Sequence, residues 1–497
     1  MVQAPVKIQT TELATLAIDL IRQAGCEYGD IRLCSYRSQN LTASDRSLKQ
    51  LQDKVSSGFG VRVLLKGAWG FAASHRQTPE EITRVVALAV DIAKGSRLSQ
   101  KTPVQLVPVE TYRDTYVTPI EIDPFTVPIQ EKAELLLSLN EKLLSYEQQG
   151  IKKAFSFLRF TKEEKIFAST NDSLINQTIY RSYPAFSCTA IANNDAQSRS
   201  YERPPLNIGY EHINPTNLFS QVERVASEAI EKVHAPKGPA DIRSTLILKP
   251  TNLFLTIHES VGHPTELDRV YGYESNFAGT SFATTDKMGK LQYAAPWVNF
   301  KCDRIQPGGR STVGYDDEGV KSQEWYVVKD GVLVDYLTDR ETAHRLGRGS
   351  SNGCAYADSW SSIPMVRIPN LGLEAGADGG SHTATLAEMI ADTEDGILID
   401  GIGSFSIDQQ RRNFQFGGDA FWQVKKGKVV GMLKDVTYHS MTTDFWNSVD
   451  AVGPAAEWEQ CGTNICGKGE PMQLAQMTHG CVPVRVRDIL IGSGSGS

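Results

Sequence analysis

A change in hydrophobic periodicity along the chain constrains its fold. Up to about residue 235, amphipathic helices of period 3.6 alternate with strand-like segments, and Thr10 and Thr78 stand where two of these helices are predicted to begin. Beyond residue 300, apolar residues recur mainly at every second position, as in antiparallel strands. The pattern predicts an α+β protein with a mixed helix and strand N-terminal part. Its C-terminal part is predicted to be mostly an antiparallel β-sheet that is curved or closed.

The segment Pro-Lys-Gly-Pro at residues 236–239 is the clearest candidate boundary between domains. It predicts an N-terminal α+β domain at residues 1–238 and a mainly β catalytic domain at residues 239–490. Residues 491–497 are rich in Gly and Ser and are predicted to form a flexible tail.

Local signals predict individual elements within these two parts. Helices are predicted near residues 10–24, 78–95, 129–146, 216–234 and 385–391, the last with Thr385 and Glu388 spaced as a capping box. Strands are predicted near residues 31–36, 58–65, 69–73, 155–160, 164–169, 175–192 and 245–248, and in two hairpins, 325–328 with 332–336 and 421–424 with 429–433.

Composition excludes several classes of function. The chain has 497 residues and a net charge of -7 without a run of basic residues, so neither nucleic acid nor an anionic membrane is an expected partner. No apolar stretch approaches the roughly 20 residues that cross a bilayer, and the first residues lack a secretory signal pattern. These features predict a cytoplasmic protein whose eight scattered cysteines are reduced.

One short motif points to hydrolytic zinc chemistry. His258 and His263 flank Glu259, but they are five residues apart instead of the four of the common H-E-x-x-H zinc helix. In an ideal helix a step of five residues rotates a side chain by about 140°, which would direct the two imidazoles apart. Gly262 and Pro264 therefore predict that the helix ends just before His263, which bends back towards His258.

A catalytic zinc usually takes three protein ligands, so a third one is needed. Cys461 and Cys466 lie in a glycine-rich segment that we expect to be a loop, where a thiolate could reach a metal. Taken alone, this segment is more simply interpreted as a turn with two ordinary cysteines. The segment at 479–481, with His479 and a cysteine, resembles half of a soft-metal site, although an ordinary loop histidine is the simpler interpretation. The acidic residues 316–318 could bind a hard metal, although a polar turn is the simpler interpretation.

Taken in order, these motifs resemble the TldD/PmbA metallopeptidase family. The resemblance includes the H-E-x-x-x-H motif with the residues at 264–268, and the segments Gly-Thr-Ser-Phe at 279–282, Gly-Tyr-Asp-Asp-Glu-Gly at 314–319 and Cys-Gly-Lys at 466–468. Residues 56–62 and 69–71 are similar to the family's N-terminal domain. The segments at 470–473 and 478–483 depart from the best-known members, which suggests a subfamily with a different substrate.

The resemblance implies a complete catalytic site. His258, His263 and Cys466 would bind one Zn²⁺ per chain, and Glu259 would be the catalytic base. It implies a zinc-dependent peptidase that cleaves unfolded or modified peptides. It also implies a homodimer, or a heterodimer with a paralogue that lacks the histidine motif. The residues that bind the substrate are not predicted.

Two alternatives remain from the sequence. The chain could be a non-catalytic assembly subunit with a structural zinc, which a fourth ligand such as Cys461 would favour and which the presence of Glu259 disfavours. A zinc hydrolase of the peptide deformylase type also combines H-E with a cysteine, but the spacing and the length of the chain disfavour it. The G-x-S-x-G motif of many serine hydrolases is absent from the sequence.

Overall fold

The computed structural model describes residues 6–202 and 204–493. One sheet contains the strands that precede residue 203, namely β1 Tyr28–Ser44, β2 Ser47–Leu65, β3 Ala68–Ser74, β4 Arg113–Val117, β5 Ile151–Ser169, β6 Leu174–Ala192 and β7 Asp195–Glu202. Their order is β3-β2-β1-β5-β6-β4, with β7 paired to β6. All pairs are antiparallel except β4 with β6.

Helices cover this sheet with their apolar sides. They are α1 Val6–Gln23, α2 Pro79–Arg97, α3 Ile129–Leu144, α4 Pro215–Ser220 and α5 Val222–His234, with single 3₁₀ turns at Glu147–Gln149 and Tyr210–His212. α1 and α2 form one core with β1 to β3, in which Ile21 and Val85 pack near Phe59. α3 and α5 form a second core with β5 and β6 around Leu158. The 3.6-residue periodicity of the sequence is thus used to bury one face of each helix.

Three local predictions in this part differ from the structure. α1 begins at Val6, so Thr10 lies within the helix instead of capping it. The segments 155–160 and 164–169 belong to the single strand β5. The polar residues between them pair with residues of β6 instead of forming a turn. The helix predicted near 216–234 is interrupted at Gln221, between α4 and α5.

The C-terminal part is dominated by strands, as predicted. They are β8 Ile242–Leu248, β9 Phe300–Asp303, β10 Glu324–Lys329, β11 Val332–Leu333, β12 Ala355–Tyr356, β13 Met365–Val366, β14 Leu371–Leu373, β15 Asp395–Asp400, β16 Phe405–Ile407, β17 Asn413–Gly417, β18 Ala420–Lys425, β19 Lys428–Leu433, β20 Val436–Met441, β21 Val449–Val452, β22 Glu459–Lys468, β23 Gln473–Cys481 and β24 Val484–Ser493. The largest sheet has the order β16-β17-β20-β24-β8-β15-β18-β19, with β21 on β24. The mixed α+β fold class is therefore confirmed.

Short helices connect these strands. They are α6 Pro250–Ile257, α7 Leu267–Val270, α8 Arg340–Arg345, α9 Leu386–Ala391 and α10 Thr442–Asn447, with 3₁₀ turns at His263–Thr265, Thr285–Lys287 and Ala455–Glu457. Both predicted hairpins are present as β10 with β11 and β18 with β19. The capping box of α9 is also present, with Thr385 and Glu388 bonded reciprocally. The end of β8, residues 246–248, is buried, and β8 delivers the chain into α6, as predicted.

The end of the chain differs from its prediction. Ile491 is buried and pairs with Ile242 and Tyr438, so the predicted flexible tail begins as the end of β24. Residues 494–497 lie outside the described residues. The domain division at residue 239 stays a prediction.

Buried ion pairs connect the first sheet to the segment between β9 and β10 in the C-terminal part. Lys165 of β5 contacts Asp317 at 2.6 Å and Glu163 at 2.8 Å, and Arg62 of β2 contacts Glu318 at 3.0 Å. The acidic residues at 316–318 therefore meet arginine, lysine and backbone amides instead of forming a metal site. In the described part of the chain, no helix is both long enough and apolar enough to cross a membrane.

Candidate metal centre

The two motif histidines lie on a widened helical turn. α6 continues into a π-helical turn, His258–Gly262, in which the backbone N–H of His263 bonds to the carbonyl of His258. This i to i+5 bond places the two residues one above the other, and their rings are 4.7 Å apart between centroids. The turn therefore accommodates the extra residue of the H-E-x-x-x-H spacing.

The prediction that His263 leaves the helical region is wrong. His263 has φ -62° and ψ -39°, which are helical values, even though Pro264 follows it. Gly262 is also helical and is needed for a different reason than freedom of φ. A Cβ at this position would lie 2.8 Å from Cδ1 of the buried Ile368, so the absence of a side chain lets the turn pack closely.

Side chains satisfy the carbonyls that the widened turn releases. The hydroxyl of Tyr293 donates to the carbonyl of Ser260, and that of Thr265 donates to the carbonyl of Val261 at 2.8 Å. A buried carbonyl without a partner would cost roughly 1–3 kcal/mol. These two hydroxyls therefore stabilise the turn that aligns the histidines.

A chain of hydrogen bonds assigns the tautomer of His258. Nδ1 of His479 lies 2.8 Å from the carbonyl of Leu371 and must donate to it. Nε2 of His479 then accepts from Nδ1–H of His258, also at 2.8 Å. Burial lowers the pKa of His258 well below its usual value and that of His479 to about 4, so both rings are neutral. His258 is left with a lone pair on Nε2, as a metal ligand needs.

A buried carboxylate orients His263 in the same way. Nδ1 of His263 donates to Glu266 at 2.7 Å, and Nζ of Lys468 contacts the other oxygen of that carboxylate at 3.1 Å. Burial opposes the charge on Glu266, but Lys468 and the other cations around it hold its pKa well below the usual value. Burial lowers the pKa of His263 to about 3. Its Nε2 therefore carries a lone pair and faces Sγ of Cys466 at 3.4 Å.

A β-bulge brings Cys466 to the histidines. The glycine-rich segment is strand β22 instead of the predicted loop, and its register shifts between Thr463 and Cys466. The residues opposite Cys461 and Cys466 are His479 and Ala475, which are four apart on β23, so all four side chains share one face. A regular strand would place two residues five apart on opposite faces. The bulge thus turns Cys466 towards the π-helical turn.

The donor set fits a zinc ion. One ligand atom each from His258, His263 and Cys466 lie within 4.8 Å of one another. Two donors of tetrahedral zinc, at about 2.3 Å for sulfur and 2.05 Å for nitrogen, would be about 3.6 Å apart. The measured separation of Sγ of Cys466 and Nε2 of His263 is 3.4 Å. Among the described residues this is the one group of three metal-binding side chains, and Cys461 is not part of it.

The motif glutamate stands beside this group with an arginine partner. Oε2 of Glu259 accepts from Nη1 of Arg411 at 2.7 Å, and both side chains are largely buried. Burial raises the pKa of Glu259, although Arg411 opposes this shift. A carboxylate with a raised pKa next to a candidate metal is suited to accept and return a proton.

Sequence reasoning missed the groups that orient the histidines. Glu266 and Lys468 belong to the matched motifs, but nothing in their spacing indicates that they meet across 202 residues. His479 is predicted to be either half of a soft-metal site or an ordinary loop histidine, whereas it lies in β23 and bonds to Nδ1 of His258. Arg411 carries no local signal at all.

Known proteins resemble this chain along nearly its whole length. Models of PmbA/TldA metallopeptidase domain 1, of the central domain and of the C-terminal domain match residues 29–93, 122–235 and 242–493. A metalloprotease of Methanocaldococcus jannaschii is 28% identical over 449 residues, which are 89% of this chain and 92% of the relative. A protein of Saccharolobus solfataricus called a zinc metalloprotease TldD homologue is 20% identical over 483 residues, which are 95% of this chain and 97% of the relative.

Solved structures share the fold. TldE from Thermococcus kodakarensis superposes with a TM-score of 0.73 at 15% identity, over 96% of this chain and 100% of that one. A Thermotoga maritima protein that has been called a modulator of a DNA gyrase gives a TM-score of 0.76 at 17% identity, over 97% and 99% of the two chains. The C-terminal model alone matches just over half of the 497 residues, and the three models follow one another in order. The chain belongs to the PmbA/TldD metallopeptidase family.

Proposed function

We propose that this chain is a zinc-dependent peptidase that hydrolyses peptide bonds in unfolded or modified peptides. The observation that carries the proposal is the convergence of His258, His263 and Cys466 beside the carboxylate of Glu259. The two imidazoles and the thiolate would hold one zinc ion per chain, with Glu259 as the general base.

The side chains of this site are suited to different steps of hydrolysis. When bound, zinc supplies a positive charge that lowers the pKa of water and polarises a carbonyl. Glu259 would take one proton from the attacking water as its oxygen forms a bond to the carbonyl carbon. It would then return that proton to the amine nitrogen as the C–N bond breaks. Glu266 and His479 would keep both imidazoles in the tautomer that offers Nε2.

The thiol is protonated before the metal arrives. Burial raises the pKa of Cys466 to about 11, although the nearby Arg367 opposes this. Cys466 would have to lose its thiol proton to serve as a ligand, so zinc should bind more strongly as the pH rises.

The number of donors separates this function from a structural site. Structural zinc usually has four protein ligands, whereas the described residues supply three, with Glu259 alongside. This favours catalysis over the alternative of an assembly subunit with a structural zinc. As for assembly, a homodimer or a heterodimer with a motif-lacking paralogue is part of the proposal. Its support is the likeness in fold to TldE.

Four proteins test the proposal: wild type, Glu259→Ala, Cys466→Ala and Cys461→Ala. Bound zinc is measured by elemental analysis, and turnover by cleavage of a panel of unstructured fluorogenic peptides. We expect Glu259→Ala to keep zinc and lose turnover, and Cys466→Ala to lose both. Cys461→Ala is the matched control, because it removes a buried thiol from the same face of β22. It should keep both properties.

Two results would contradict the assignment. Undiminished turnover in Glu259→Ala would exclude this residue as the base. Full zinc content in Cys466→Ala would exclude the thiolate as a ligand, and zinc lost from Cys461→Ala would instead favour the structural alternative.

A further inference from the structure

The loop between β16 and β17 is held in one conformation next to the metal centre. The carboxylate of Asp408 accepts from the backbone amides of Gln410, Arg412 and Asn413 at 2.9–3.0 Å. Within this loop Arg411 has φ +62°, a left-handed conformation that is uncommon for a residue with a side chain. Such conformations persist only where the surroundings determine them, and they concentrate at functional sites.

A second segment ties this loop to the π-helical turn. The amide of Thr280 donates to the carbonyl of Gln409 at 2.8 Å. Ser281 donates to the carbonyl of Pro264 at 2.6 Å. Gly279 has φ +85°, and a Cβ there would lie 2.1 Å from the Gln409 carbonyl oxygen. The Gly-Thr-Ser-Phe segment at 279–282, which the metal site itself does not use, thus positions Arg411 relative to the histidines.

The guanidinium of Arg411 has capacity that its one ion pair does not use. Nη1 is bonded to Glu259, whereas Nε is buried without a hydrogen-bond partner among the described atoms. An arginine side chain has five N–H donors in a planar fork. A buried donor without a partner is costly, so its persistence here needs an explanation.

We propose that Arg411 is a catalytic residue that stabilises the oxyanion formed during peptide hydrolysis. This inference rests on the proposed function. As Glu259 takes the proton from water, its carboxylate becomes neutral. The electron pair of the C=O bond moves to the carbonyl oxygen as the water oxygen bonds to carbon. The negative charge thus passes from Glu259 to the substrate oxygen, and Arg411, which already contacts Glu259, is placed to bond to both.

The departure of the amine reverses this transfer. The oxyanion electron pair re-forms the C=O bond, the C–N bond breaks, and Glu259 delivers its proton to the nitrogen. Arg411 then pairs again with the carboxylate. Burial lowers the pKa of Arg411, and the neighbouring Glu259 opposes this shift. The step itself neither adds a proton to the guanidinium nor removes one.

The competing interpretation is that Arg411 only positions Glu259. Binding of a phosphinic peptide, whose tetrahedral anion imitates the intermediate, separates the two roles. If Arg411 acts only through Glu259, replacing it in the Glu259→Ala protein does not change the affinity for the phosphinic peptide. If it contacts the oxyanion, affinity for the phosphinic peptide falls in that background too.

We therefore compare Arg411→Ala and Arg411→Lys in the wild-type and Glu259→Ala backgrounds. Arg412→Ala is the matched control, because it removes the neighbouring, exposed arginine of the same loop. Since Arg411 is already a non-glycine residue at positive φ, neither substitution adds a new backbone conformation. Zinc content and the thermal midpoint report the integrity of each protein.

The expected pattern is specific. Arg411→Ala should retain zinc and lower kcat by about 10²–10³-fold with little change in KM. It should also weaken binding of the phosphinic peptide in both backgrounds. Arg411→Lys should retain part of the kcat and of the affinity for the phosphinic peptide. Added guanidinium ion should partly restore the turnover of Arg411→Ala. Arg412→Ala should match its parent.

Each failure has a distinct meaning. An active wild type whose Arg411→Ala variants bind the phosphinic peptide as tightly as their parents would overturn this inference alone. The same holds if affinity falls only where Glu259 is present. A wild type that neither binds zinc nor cleaves peptide would overturn both this inference and the proposed function.

Discussion

Replacing His479 by phenylalanine should weaken zinc binding by about 10–100-fold without unfolding the protein. The variant removes the atom that accepts from Nδ1–H of His258 at 2.8 Å, in a place where both rings are almost fully buried. If Nε2 of His258 binds zinc, as proposed, the proton would have to remain on Nδ1 without a partner. That costs roughly 1–3 kcal/mol, or a factor of about 5 to 150 in affinity. In the zinc-free state the proton can move to Nε2, so the cost falls on the bound state.

His479→Gln is the matched control for this prediction. Its amide can accept from His258 with oxygen and donate to the Leu371 carbonyl with nitrogen, so its affinity should stay close to that of the wild type. Affinity is measured by competition for zinc with a chromophoric chelator at neutral pH, together with the thermal midpoint. If His479→Phe binds zinc as tightly as the wild type while keeping its midpoint, the orienting role of His479 is refuted.

Three further predictions concern the supports of the site and the junction of the sheets. Gly279→Ala should lower both turnover and the thermal midpoint. Gly289→Ala is the control, because Gly289 also has a positive φ but nothing lies within 4 Å of an added Cβ. It should leave turnover unchanged and lower stability only by the roughly 1–2 kcal/mol of left-handed strain. Tyr293→Phe removes the hydroxyl that supports the π-helical turn and should cost roughly 1–3 kcal/mol and release zinc more readily, as chelator competition would show. Lys165 and other cations lower the folded pKa of Glu163 to about 2 against the opposing effect of burial. Stability worth about 3 kcal/mol, present above pH 4.5, should therefore be lost as the pH falls towards 2. The urea midpoint of Glu163→Gln should therefore fall less steeply than that of the wild type between pH 4.5 and 2. An equally steep fall in the variant would contradict the role of Glu163.

Local signals predicted the elements whose causes are local. The hairpins β10–β11 and β18–β19 and the capping box of Thr385 with Glu388 depend on residues a few positions apart. The atoms that form these interactions lie within a few residues of one another, so their prediction needs little knowledge of the rest of the fold. The two strands predicted in place of β5 show the limit of this reasoning. The sequence alone does not distinguish a polar stretch in the middle of a strand from a turn, because the difference depends on pairing with neighbouring strands.

The site divides in the same way. The residue types and spacing of His258, Glu259 and His263 predicted a zinc site, and the family resemblance added Cys466 from far along the chain to this prediction. The bend expected at Gly262 was wrong, because helical geometry alone cannot show that Ile368 packs there or that a distant hydroxyl supports a widened turn.

By itself, the sequence determined the fold class and the family and singled out the residues of the candidate metal site, because each depends on which residues occur and how they are spaced. Only the tertiary structure decided how five-residue spacing aligns two imidazoles, which lone pairs they offer, and that Arg411 stands beside Glu259. The physical reason is that hydrogen bonds and close packing between distant segments determine side-chain orientation and charge in a buried site. Those contacts exist only after the chain has folded.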